Sequence, residues 1–84
     1  MGDQAFALKD YPNDPVERFP FIEAYAHTGN WARALELTRD SKEIAPLYAQ
    51  LSCKLWGRIE RESQPGSQRD EAVQEARAIL ECAH

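Results

Sequence analysis

A chain of 84 residues with net charge −4 and a pI near 5.1 allows one small domain and leaves little protein to enclose an active site. Nucleic-acid binders need a basic stripe to displace counterions. The most positive stretch, 46–62, sets only Lys54, Arg58 and Arg61 against Glu60 and Glu62, so nucleic acid is not an expected partner.

Residues 1–13 show no sustained period and read as a lead-in, with Phe6 and Leu8 either docking on the body or fraying with the terminus. Asp14-Pro15 is a helix start: a carboxylate for the N-cap and a proline where a missing N–H costs nothing. Pro20 deep inside such a helix would cost ~3 kcal/mol. A short turn over 15–19 is therefore expected, then a helix from Pro20 to about Thr28. Ile22, Tyr25 and Ala26 give that helix an apolar stripe. Gly29 is the stop, because glycine enters left-handed backbone without penalty.

Asn30 can cap the second helix. There Trp31, Ala34, Leu35 and Thr38 share one face, and Leu37 and Ile44 share another. A helix apolar on two faces is expected between two neighbours. Pro46 ends it and opens a third helix running to about Glu62. Tyr48, Leu51, Ser52, Leu55 and Ile59 form its main stripe, and Ala49, Cys53 and Trp56 a weaker one. Ser63-Gln64-Pro65-Gly66-Ser67 is a turn. A fourth helix follows from about 68–70, burying Ala72, Val73, Ala76, Ile79, Leu80 and Ala83. The fold expected is all-α: one domain over 14–84, built as two stacked antiparallel hairpins, 15–45 and 46–83.

No serine, cysteine or carboxylate sits in a nucleophile motif, so no catalytic residue and no cofactor is expected. His27 and the terminal His84 are isolated. Glu23 and His27 lie one turn apart, but a metal site built that way needs a second such pair, and none exists. An ordinary contact across one turn is expected instead. Cys53 and Cys82 fall on helices that run antiparallel, at similar distances from their turn, so a disulfide is topologically open. Cys82, however, projects off the apolar face of a continued helix. The expectation is a small buried Cys53, reduced thiols and a cytoplasmic default. Trp56 has two readings, as core between the hairpins or as an exposed anchor for a partner. No apolar run approaches the ~20 residues of a membrane helix, and Met1–Lys9 has no signal-peptide pattern.

Tyr25, Gly29-x-Trp31-x-x-Ala34-Leu35 and Pro46 together resemble a tetratricopeptide (TPR) repeat, a stacked-hairpin α-solenoid family, over residues 15–46. A second copy is looser. Leu55 and Ile59 fit its first helix, and Ala72-Val73 with Ala76 and Ile79 fit its second. The Ala-apolar pair returns after 38 residues against the family's ~34, and the Gly-x-aromatic turn is missing. The resemblance implies a groove lined by the first helix of each hairpin: Glu23 and His27, then Gln50, Cys53 and Glu60, with Trp56 in its exposed reading. It implies a protein or peptide partner rather than chemistry. Two repeats are fewer than the usual three. A flanking cap, a homodimer, or a place at the end of a larger scaffold or on the soluble tail of a membrane enzyme would each complete the stack. Truncating Trp31 is expected to cost ~3–5 kcal/mol.

Overall fold

In the computed structural model, which describes residues 8–82, Asp14 caps the first turn. Its Oδ1 accepts from Val16 N at 2.9 Å. The 3-10 turn Pro15–Arg18 leads into α1, Phe19–His27. Pro20 sits in the first turn of α1, where no donor is lost, so the helix starts just before it. Gly29 ends the helix at φ +85°. Asn30 N donates to Tyr25 O at 2.8 Å and Gly29 N to Ala26 O at 3.1 Å, the paired bonds of a Schellman turn. Asn30 Oδ1 then accepts from Arg33 N at 3.3 Å and caps α2, Trp31–Ile44. Pro46–Tyr48 is a 3-10 turn, so the regular helix α3 spans Ala49–Glu62 rather than beginning at Pro46. The fourth helix, α4, spans Ser67–Leu80.

The four helices form two layers. Both first helices, α1 and α3, lie side by side in one, and α2 and α4 in the other. α2 packs on both α1 and α4, and α4 packs on α3. The body measures 33 × 32 × 16 Å, its thin dimension set by two helices separated by about 10 Å.

Ile22, Ala26, Ala34, Leu37, Leu55, Ile59, Ala72, Val73, Ala76 and Leu80 fill the space between layers. Trp56 sits among them with no exposed surface. Its Nε1 donates to Thr38 Oγ1 at 2.9 Å, and that hydroxyl donates to Ala34 O at 2.8 Å. The indole is therefore buried with its polar group satisfied. Trp31, at 6.2 Å between ring centroids, covers it from one side and stays half-buried. The large truncation cost of ~3–5 kcal/mol thus belongs to Trp56 rather than to Trp31.

The inward face of α3 differs from the expected one. Ser52, Leu55, Trp56 and Ile59 point in, while Tyr48 and Leu51 are exposed. Centring the face on Trp56 buries the largest side chain, and this rotates Leu51 outward. Ile44, at the far end of α2, is exposed too. Ile79 is half-buried, and Ala83 and His84 lie outside the described residues.

The segment before Asp14 belongs to the body. Tyr11 is buried, meets the Phe21 ring edge-on at 5.2 Å, and hydrogen-bonds the Tyr25 hydroxyl at 2.8 Å. The Arg33 guanidinium lies 5.5 Å over its ring. The bond to Tyr11, and then burial, hold the Tyr25 phenol above its ordinary value. Arg18, fully covered, pairs with Asp40 of α2 and donates from Nε to Pro12 O at 2.7 Å. That guanidinium locks the lead-in onto the second helix. Leu8 packs on the core; Phe6 lies outside the described residues.

Cys53 and Cys82 are joined as a disulfide, with Cα atoms 5.8 Å apart. This overturns the expectation of free thiols. α4 stops at Leu80, and Glu81 turns left-handed at φ 55°. Cys82 is no longer on the helix, so a wheel projected from α4 misplaces it. The bend swings its sulfur back to α3.

Candidate functional site

α1 and α3 run parallel in register, and two side-chain pairs show it. Arg58 Nη2 donates to Glu23 Oε2 at 2.5 Å, and His27 Nε2 lies 3.8 Å from Glu62 Oε1. Each pair joins residues 35 apart. The outer surface of this layer is the face on which the expected groove should lie.

The six residues expected to line that groove are scattered. Glu23 and His27 do come together, at the end where α1 and α3 both terminate. Glu62 joins them, and the three ligand-type atoms lie within 4.8 Å of one another. Gln50 and Cys53 lie near the opposite end, lining a cleft of about 630 Å3 with Pro46, Leu47, Leu80 and Cys82. The Cys53 sulfur is committed to its disulfide, so it offers no thiol to a ligand. Trp56 is in the core and cannot anchor a partner. Glu60 turns away towards α4, where it accepts from Arg77 Nη2 at 2.7 Å.

What the expected set omits is a stripe on α3. Leu51, Lys54, Arg58 and Arg61 recur at helical spacing, and all are exposed. Leu47, one turn earlier, is 94% exposed. Phe19, Leu51, Lys54, Leu55, Arg58 and Arg61 line a cleft of about 300 Å3 between the start of α1 and this stripe. Among the described residues, neither Lys54 nor Arg61 has an ion-pair partner, whereas Arg58 holds Glu23. Counting charge along the chain hides this feature, because Glu60 and Glu62 cancel it numerically. On the helix Glu60 faces α4, while Glu62 sits one turn beyond Arg58 and reaches His27 as Arg58 reaches Glu23, so the uncompensated cations of this face, among the described residues, are Lys54 and Arg61. A wheel of charged residues would have exposed it.

No family model matches the chain, and no curated protein or solved structure is similar enough to count as a match. Among the described residues, no helix is long and apolar enough to cross a membrane.

Proposed function

We propose that the chain is a non-catalytic, TPR-like protein-binding module whose α1/α3 face takes an acidic segment bearing an apolar anchor. The observation that carries this reading is the exposed stripe that starts at Leu47 in the turn before α3 and continues along α3, apolar at Leu51 and carrying the cations Lys54 and Arg61, unpaired among the described residues, in a chain of net charge −4. Uncovered large apolar side chains beside cations suit a helix or extended segment of opposite charge. The cleft beside Phe19 would receive the anchor, and the cations would set the partner's orientation. The 35-residue register between α1 and α3 supports a repeated hairpin unit, since it approaches the family's ~34.

A second observation favours the scaffold reading, in which the chain ends a longer helical stack. The outward residues of α4, among them Glu71, Gln74 and Glu75, are exposed and polar, as the outer face of a terminal repeat must be. The disulfide favours an oxidising setting over the cytoplasmic default, because reducing compartments keep thiols unpaired.

The test is a titration of the 15N-labelled chain with a synthetic Glu-rich peptide carrying two leucines one helical turn apart. Amide shifts concentrated on α1 and α3 are expected. Lys54→Glu with Arg61→Glu should weaken binding about tenfold at low salt, and Leu51→Asp should do so at any salt. Equal shifts from a Lys-rich peptide of the same pattern, or shifts confined to α2 and α4, would refute the reading.

A further inference from the structure

The cluster at the other end of the α1/α3 layer is not used by a peptide-binding face. We propose that Glu23, His27 and Glu62 form a divalent transition-metal site that clasps the ends of α1 and α3, taking an ion of the zinc type.

Three observations carry it. The first is donor chemistry. One imidazole nitrogen and two carboxylate oxygens suit zinc and its neighbours, whereas calcium and magnesium prefer oxygen alone. The second is geometry. The donors lie within 4.8 Å of one another, and ligands around a tetrahedral zinc stand about 3.4 Å apart. Glu62 is 51% exposed, His27 44% and Glu23 23%, so side-chain torsions can close that gap without moving backbone. The pair Glu23 and His27 sits one turn apart on α1, and tertiary structure supplies from α3 the third ligand that the linear sequence does not show.

The third observation is electrostatic. His27 is the last residue of α1 and Glu62 the last of α3. Both helix dipoles therefore present their negative ends here, where carboxylates are disfavoured and cations are favoured. Glu62 stands at the negative end of α3, with the Glu23 carboxylate one turn before the negative end of α1 within 4.8 Å of it, an accumulation of negative charge that a dication relieves. Arg58 offsets part of this charge through Glu23 Oε2, leaving Oε1 for the ion. Arg69, which lines the adjoining cleft with His27 and Glu62, is engaged by Asp70 and by Glu60 O.

The test uses the full, disulfide-closed chain with ZnCl2 as the probe, followed by calorimetry and by the imidazole NMR signals. Zinc should shift the His27 ring resonances and raise Tm, with calcium and magnesium silent. His27→Ala and Glu62→Gln should each weaken binding at least tenfold, while His84→Ala leaves it intact. Arg58→Gln separates a site from a merely structural contact. It removes a competing cation, so zinc should bind about threefold tighter even though an ion pair is lost. Folding of each variant is checked by circular dichroism, and Glu62→Gln, at an exposed helix end, serves if His27→Ala unfolds. Unchanged His27 signals in millimolar zinc, binding that survives both ligand substitutions, or binding lost with His84→Ala would overturn the site.

Discussion

Two helix ends in this molecule close with the same backbone bonds and different residues. At the end of α1, Asn30 N reaches Tyr25 O at 2.8 Å and Gly29 N reaches Ala26 O at 3.1 Å. At the end of α4, Cys82 N reaches Arg77 O at 3.0 Å and Glu81 N reaches Ala78 O at 3.3 Å. The first turn places glycine at the left-handed position, which costs nothing. The second places Glu81 there at φ 55°, which costs a non-glycine residue roughly 1–2 kcal/mol. The α4 turn must therefore be held from outside. The disulfide holds it, and Lys42 Nζ donates to Ile79 O at 2.6 Å beside it. One end is stable by local chemistry, the other by a tertiary staple.

Removing the staple should have the largest effect. The bond links residues 29 apart, and closing a loop of that length is worth about 3–4 kcal/mol in the chain-entropy picture. The variant Cys53→Ser with Cys82→Ser, or reduction of the native chain, should lose about that much in urea unfolding. A chain of 84 residues has only roughly 4–12 kcal/mol to lose. Hydrogen exchange should quicken at Glu81 and Cys82 well before it does at Gly29 and Asn30. Equal quickening at both turns would show that the two ends do not differ as argued.

The same contrast governs what the sequence discloses of the fold. Gly29-Asn30, Asp14-Pro15 and the loop around Pro65-Gly66 announce themselves because their conformations are decided by residues a few positions apart. The four helices and the all-α class follow from them. The left-handed Glu81 carries no local signal, so a helical projection of the sequence carries Cys82 past the point where α4 ends. The inward face of α3 is hidden from the sequence for a related reason. Leu51 and Trp56 are both apolar, and only the packing of α3 on α4 and α2 decides which points inward. The candidate site suffered most. Glu62 approaches His27 only because α1 and α3 lie parallel, and Arg18 and Tyr11 find their partners only once the lead-in folds back on α2.

Gly29→Ala attacks the locally stable end. A Cβ there would meet nothing within 4 Å, so no clash contributes and the loss is the backbone term alone, about 1–2 kcal/mol. A loss much larger than this would mean that the turn is under strain from its neighbours. Glu81→Gly reverses the experiment at the other end and should stabilise the chain by about 0.5–1 kcal/mol, the relief of left-handed strain less the added freedom of glycine when unfolded. The ion pair it removes, Lys42 with Glu81 at 3.6 Å, is too exposed to weigh against that gain. The gain should be larger once Cys53 and Cys82 are replaced, because Glu81 then has less outside help.

The smallest effect concerns pH and belongs to the first turn alone. Tyr25 supplies the carbonyl that closes it, and its phenol, hydrogen-bonded to Tyr11, sits above the ordinary value of 10.0. A group whose pKa is raised by folding stabilises the fold while it stays protonated. That contribution is complete below the unfolded value and fades as pH rises through the folded one. Stability should therefore decline above about pH 10 through this pair, with no matching change on the acid side. Tyr25→Phe keeps the ring, leaves Tyr11 without that partner, and should flatten the alkaline decline while lowering stability at neutral pH. Because the ring is only partly buried, solvent screens the interaction and the decline should be shallow. If amide exchange at Asn30 follows the same alkaline curve in the native chain and loses it in Tyr25→Phe, the α1 turn is coupled to the lead-in through one hydroxyl pair. If it does not, the turn stands on glycine geometry by itself.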